Sequence, residues 1–284
     1  MNSLSDVRHS WNRFAESDAM TAVMTGEDWD EAAFYQTGLD DIDSLMKEVE
    51  RVYPEFKRGS AFDFGCGLGR LSLGLARHFD SVTGVDISTR MIERAAANPR
   101  TPSNAHFTLN EGERLEEFDT DAFDFVLSLI VLQHIPRKFI KGYLEEFLRI
   151  AEPGGLVVFQ LPTRKRKRRK PKLELWKDKP LRWDDPPFPK LCYRAAFRLF
   201  RWIPRRIVHA IHVSETWNAL FYAWQSRKGN AVMQMNTIRI PRLKRMIDDA
   251  GGEILEIAED SRAGDEYDSH TFYVTKRRNP AGPI

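Results

Sequence analysis

Cysteine is scarce in this chain. Only Cys66 and Cys192 occur in 284 residues. That is too few for a disulfide framework or a cysteine-built zinc site, so a reducing cytoplasm is the expected compartment. Long apolar runs are missing too. No uncharged stretch reaches the roughly 18 residues that a membrane-spanning helix needs. The opening residues, Met1 to Phe14, lack the apolar core of a secretory leader. No internal repeat is visible, which sets solenoids and propellers aside. No histidine–carboxylate set has convincing metal-ligand spacing, so no metal is expected. Net charge is small, at +2, but the average conceals a division. Residues 163–212 carry 17 Lys/Arg against 4 Asp/Glu, and the rest of the chain is acidic.

What is present is periodicity. Residues 1–58 read as helical. Ile42, Leu45, Met46, Val49 and Val52 share one side of a helix over Asp41–Tyr53, with Asp40 or Asp41 as its cap and Pro54 closing it. Strands and helices then alternate. Strands are expected at Ala61–Phe64, Ser81–Asp86, Ala105–Asn110, Phe123–Leu129 and Leu156–Leu161. Helices fall at Gly69–His78, Thr89–Ala97 and Phe139–Ala151. The pattern breaks at the basic run 164–170 and resumes with a helix over Ile238–Ala250 and strands at Ile254–Glu259 and Thr271–Thr275. This order argues for an α/β fold, a mostly parallel sheet with helices on both faces.

The most specific chemical signal is Phe62-Asp63-Phe64-Gly65-Cys66-Gly67-Leu68-Gly69-Arg70. A strand runs into a tight turn and then a helix start. Glycines let the backbone pass close under a ligand, and free amides at a helix start favour an anionic group. Asp86 ends the next strand, where a carboxylate can accept from two ribose hydroxyls. The set points to a nucleoside-bearing cofactor. A nicotinamide or flavin fingerprint is one reading, although Arg70 stands where that pattern has its third glycine.

The other reading is a resemblance. The segment resembles motif I of the class I S-adenosylmethionine-dependent methyltransferases. Val82-Thr83-Gly84-Val85-Asp86-Ile87-Ser88 resembles motif II. Phe123–Ser128 with Leu132-Gln133-His134-Ile135-Pro136 resembles the fourth-strand motif, and Leu148–Gly155 the turn before strand five. Together these cover roughly residues 60–160. The resemblance implies a Rossmann-like seven-stranded sheet of order 3-2-1-4-5-7-6, with an N-terminal helical cap and a large insertion after strand five. It implies S-adenosylmethionine as cofactor and S-adenosylhomocysteine as product. Asp63, Gly65, Cys66, Gly67 and Gly69 would shape the methionine end of the pocket. Asp86 would take the ribose, Ile87 would pack on the adenine, and Glu111 with Gly112 would lie near the adenine amino group. Glu113 is an alternative to Glu111. Leu129 would line the cofactor. Phe34 and Tyr35 would close the pocket, or simply pack the cap. The expected division is 1–58 as cap, 59–162 as the cofactor-binding half, 163–235 as a basic, aromatic-rich insertion, and 236–284 as the rest of the core.

The methyl acceptor is less legible. Methyl transfer chiefly needs alignment, and an oxygen nucleophile also calls for a base. His134, His209, His212 and His270 are the candidate bases, with His134 equally readable as a pocket-shaping residue. Segment 194–212 mixes apolar residues with Arg194, Arg198, Arg201 and Arg205 at helical spacing. It fits an anionic membrane surface, a wall for an acidic acceptor, or a helix packed on the core with wet arginines. Trp176, Trp183 and Phe188 would stack bases or pack a lid. The expected function is methylation of a small or medium acceptor, with anionic, glycosylated and lipid-linked molecules among the candidates and oxygen favoured. Nucleic-acid methylation through 164–170 and non-catalytic cofactor binding are the alternatives. A homodimer and a peripheral membrane location stay open.

Overall fold

The computed structural model describes residues 3–24, 29–166 and 233–277. Two helices precede the sheet. In α1 (Leu4–Val23) the Ser3 side chain accepts from the Asp6 amide and the Asp6 side chain accepts from the Ser3 amide, a reciprocal cap that satisfies two otherwise orphaned donors. The second helix, α2 (Glu31–Val52), is capped by Asp30, which accepts from the Ala33 amide. It therefore begins well before the Asp40 or Asp41 start expected from periodicity. Asp30 followed by helix-forming Glu31, Ala32 and Ala33 is the stronger start signal. Asp41 instead lies inside α2 and pairs with Arg70.

The sheet comprises β1 (Ser60–Phe64), β2 (Ser81–Asp86), β3 (Ala105–Leu109), β4 (Phe123–Ser128), β5 (Ala151–Lys165), β6 (Gly252–Asp260) and β7 (Tyr267–Lys276). Its order is β3-β2-β1-β4-β5-β7-β6, as the resemblance implied. The first five strands are parallel, and β7 runs antiparallel to both β5 and β6. The connecting helices are α3 (Arg70–Leu75), α4 (Thr89–Ala96), α5 (Arg137–Ile150) and α6 (Ile240–Asp249).

Strand alternation divides the apolar side chains between two cores. Phe62, Phe64, Val126, Val157 and Phe159 face α5 and α6, joining Phe147, Leu243 and Ile247. Ala61, Phe125, Leu127 and Val158 face the other way, onto Ile42, Leu45, Met46 and Val49 of α2. So the C-terminal half of α2 covers the sheet rather than the cofactor side. Its N-terminal half, through Phe34 and Tyr35, joins α1 in a third cluster with Leu68 and Met91.

Strand β5 is longer than the sequence suggested. It continues through Arg164 and Lys165, pairing with Asp268 and Tyr267 of β7. The start of the basic run thus lies in a strand. Asp268 accepts from Arg164 Nε and Arg166 Nε, each at 2.6 Å, so the local charge is compensated at the sheet edge. Lys167–Lys170, Trp176, Trp183, Phe188, segment 194–212, His209 and His212 lie outside the described residues.

Candidate functional site

A cavity lies at the C-terminal edge of β1, β2 and β4, where ligands sit in open parallel sheets. Leu4, Val7, Trp11, Ala22 and Val23 of α1 line it from above. Helix α1 is held there by polar bonds to its neighbour α4 and the turn before it. Asn12 Oδ1 accepts from the Ser88 hydroxyl at 2.7 Å, and Arg94 donates to the Ala15 carbonyl at 2.9 Å.

Below, β1 ends in Asp63 and Phe64 and enters the glycine turn. Gly65, Gly67 and Gly69 have φ of +77, +55 and +79, a region other residues rarely enter. The Gly65 and Cys66 amides both donate to the Val85 carbonyl, at 2.7 and 2.9 Å, which ties the turn to β2. At Gly65 a Cβ would lie 2.4 Å from Val131 Cγ2, so the turn and the wall after β4 touch only because no side chain is there.

Asp86 closes β2 with both oxygens oriented. Oδ2 accepts from the Gly67 amide at 2.9 Å and Oδ1 from the Ser88 amide at 2.8 Å. Asp63 accepts from the Ser72 hydroxyl at 2.6 Å. Burial pushes the carboxyl of each up to about 6, against these bonds and, at Asp63, the nearby Arg70. Both are mainly ionised at neutral pH, so the cavity presents two carboxylates. Burial also pushes the Cys66 thiol well up, which leaves it protonated and unreactive.

The far wall is Leu129, Ile130 and Val131. Ile130 has φ +61, a costly conformation for a β-branched residue. A chain of amides holds it. The Ile130 amide donates to Gln160 Oε1 at 3.1 Å, and Gln160 Nε2 donates to Gln133 Oε1 at 3.4 Å and to the Ser269 hydroxyl. Gln133 Nε2 lies 3.2 Å from His134 Nε2, and His134 Nδ1 lies 2.6 Å from the Gln234 carbonyl. A carbonyl only accepts, so Nδ1 carries the proton and the Nε2 lone pair receives the Gln133 amide. Burial pulls the imidazole down to about 4, so it is neutral at pH 7.

Of the residues singled out from sequence, Asp63, Gly65, Cys66, Gly67, Asp86, Ile87, Leu129 and His134 line this cavity. Gly69 does not; it is the left-handed N-cap of α3. Tyr35 is buried behind the turn, where its hydroxyl donates to the Leu68 carbonyl at 3.3 Å. Glu111 is exposed and pairs with Arg8 of α1. Asn110 lines the cavity instead. Its Oδ1 accepts from the Gly112 amide at 2.9 Å, a local turn in which Gly112 and Glu113 also lie exposed beside Glu111. The Gly112 carbonyl accepts from the Tyr143 hydroxyl at 2.8 Å. His270 is off the cavity, 3.0 Å from the Thr163 hydroxyl. His78 pairs with Asp43 at 2.7 Å.

Sequence reasoning missed Asn110, Arg70 and Gln160. Asn110 stood at the end of an expected strand and was passed over for the acid beside it. Arg70 and Gln160 carried no local signal, because their partners are distant in the chain.

Comparison with known proteins agrees with this geometry. Residues 61–155 match the family described as Methyltransferase domain. The chain is 30% identical over 138 residues to 2-methyl-6-phytyl-1,4-hydroquinone methyltransferase of a Synechocystis species, covering 46% of this chain and 42% of that protein. It is 30% identical over 125 residues to ubiquinone biosynthesis O-methyltransferase of Coxiella burnetii, covering 42% of this chain and 52% of that protein. The matches thus span about half the length of these relatives. The fold resembles that of magnesium protoporphyrin IX methyltransferase from Synechocystis, solved with its bound S-adenosylhomocysteine, at a TM-score of 0.57 and 15% identity over 96% of this chain and 99% of that one.

Proposed function

From a chain that carries a class I S-adenosylmethionine-dependent methyltransferase domain, we propose that this cavity binds S-adenosylmethionine and that the protein methylates an oxygen of a small quinone- or hydroquinone-type acceptor. The observation that carries the cofactor reading is the placement of Asp86. It ends β2 beside the glycine turn, and both its oxygens are aimed by backbone amides. The acceptor class is suggested by the names of the two relatives.

The residues present fit the cofactor. Asp86 has acceptor capacity left for ribose hydroxyls. Ile87 offers an apolar surface for the adenine. Asn110 Nδ2 is buried in the cavity wall with no hydrogen-bond partner among the described residues, which leaves a donor for a ring nitrogen. Two carboxylates suit a cationic ligand. When bound, S-adenosylmethionine supplies a methyl group on a sulfonium, activated for in-line displacement. The chain supplies alignment and dryness. Gly65 and Gly67 admit close approach, and α1 with Trp11 excludes water from above.

His134 serves this site as a wall. Its proton sits on the nitrogen bound to Gln234, and its other lone pair receives Gln133, so it is not poised to take a proton from an acceptor. His270 is bonded away from the cavity. His209 and His212 stay as candidate bases from the sequence, outside the described residues. The nucleic-acid reading has less support, since Arg164 and Arg166 are both engaged by Asp268.

The test is direct. S-Adenosylhomocysteine binding is measured by calorimetry, and radiolabelled methyl transfer is followed across a panel of hydroquinones, catechols and RNA. Binding with transfer to a phenolic oxygen supports the proposal. Tight binding with no transfer to any acceptor supports a non-catalytic binding protein. Transfer to RNA alone overturns the small-acceptor reading.

A further inference from the structure

Arg70 is a buried cation that the sequence motifs do not explain. Its side chain is 6% exposed, yet it lines the cavity. Nη1 donates to the Thr37 hydroxyl at 3.0 Å and to Asp41 Oδ2 at 2.7 Å, both on α2. Thr37 is itself oriented, because its hydroxyl donates to the Phe34 carbonyl at 2.7 Å and so presents a lone pair to the arginine. Nε is buried with no hydrogen-bond partner among the described residues.

A guanidinium has five N–H donors in a planar fork. A buried donor left unmade is costly, so an orphan at a cavity wall marks the place of an acceptor. The near approach of α2 fixes the aim. A Cβ at Gly38 would fall 2.1 Å from the Arg70 carbonyl oxygen and 2.6 Å from its Cγ. Helix α2 therefore presses on the arginine stem and leaves the head little room to swing. The head is also close enough to Asp63 to lower that carboxyl's proton affinity, which places a positive charge beside the cavity's acidic floor.

We propose that Arg70 anchors the α-carboxylate of the cofactor's methionine end, with Thr37 and Asp41 of α2 holding its guanidinium in place. This rests on the reading of the cavity as an S-adenosylmethionine site. Arg70 then supplies the anion-binding half of a pair. The acidic groups receive the cationic and hydroxyl parts of the ligand, and Arg70 receives its one carboxylate. It also explains how α2, a sheet-covering helix, comes to act on the site.

The experiment compares ligands that differ at one group. S-Adenosylhomocysteine, its decarboxylated analogue S-adenosyl-3-thiopropylamine, and 5′-methylthioadenosine are titrated by calorimetry into the full chain and into Arg70→Lys and Arg70→Met. In the unaltered protein, loss of the carboxylate should weaken binding by about tenfold to a hundredfold, the worth of a charge-assisted bond. In Arg70→Met the first two ligands should bind alike, while 5′-methylthioadenosine keeps its affinity within about twofold. Arg70→Lys should recover part of the difference. Equal weakening of all three ligands by Arg70→Met would make Arg70 a structural strut and overturn the proposal. So would an unaltered protein indifferent to the carboxylate, a comparison that needs no variant to fold. If the unaltered protein binds none of the three, the cofactor reading itself fails.

Discussion

His134 Nδ1 lies 2.6 Å from the carbonyl oxygen of Gln234, a residue 100 positions further along the chain. That bond joins the cavity wall to the stretch that leads into α6. The Asn236 amide donates to the Gln133 carbonyl at 2.7 Å, and Asn236 Nδ2 donates to the Ile135 carbonyl at 2.9 Å, so the junction is a set of bonds rather than a single contact.

The His134 imidazole should hold one tautomer. Nitrogen-resolved NMR should find the proton on Nδ1 at pH 7 and no titration until the pH approaches 4. A folded pKa depressed below the ordinary histidine value contributes stability that is present above about 6.5 and lost as pH falls through about 4. A ring that titrates near 6.5 would show that the imidazole is not buried as described and would restore it as a candidate base.

Asp86→Ala should weaken S-adenosylhomocysteine binding by at least about a hundredfold, since two charge-assisted bonds to ribose are lost. The melting temperature should change far less than the affinity. Unchanged affinity would remove the central support for the cofactor site.

Affinity should also depend on pH. The buried Asp63 and Asp86 carboxyls stand at about 6, raised above the ordinary value near 3.8. Ligand hydroxyls and a ligand cation favour the ionised forms. S-Adenosylhomocysteine binding should therefore be near its maximum at pH 7.5 and weaken below pH 6, by up to about tenfold per unit for each carboxyl that must ionise. In the ligand-free protein the sign reverses. A raised carboxyl pKa contributes stability that is fully present below the unfolded value and lost as pH rises through about 6. Calorimetry and melting curves across pH 4.5–8 read both arms.

Gln160→Leu should destabilise the fold by about 1–3 kcal/mol, because the Ile130 amide would keep its strained conformation and lose its acceptor. Ile130→Gly in the same background should recover part of the loss, since glycine adopts that dihedral without cost. Denaturant melts of the two variants decide it. A Gln160→Leu protein as stable as the parent would mean that the left-handed turn needs no support.

Gly38→Ala should cost at least about 1–3 kcal/mol, as an added methyl meets the Arg70 backbone. A variant melting within a degree of the parent would show that α2 sits further from α3 than described.

Much of this protein was legible along the chain. Apolar runs marked β1, β4 and β5 as buried strands, and residues 62–70 announced a strand, a glycine turn and a helix start. Asp86 was placed at the end of β2 by the strand pattern. These features are local, set by side-chain period and backbone conformation, which a sequence displays directly. The start of α2 was misplaced because an amphipathic stripe stood out more clearly than the Asp30 cap upstream of it. Only the tertiary structure decided the rest. Glu111 faces solvent and Asn110 the cavity because a turn closes on Gly112. Arg70 is held in the cavity wall by Thr37 and Asp41, on a helix that Gly38 lets come close. The His134 proton sits on Nδ1 because a carbonyl far along the chain fixes it there. In each case the deciding partner comes from the folded chain around the residue, and neither composition nor period records such a contact.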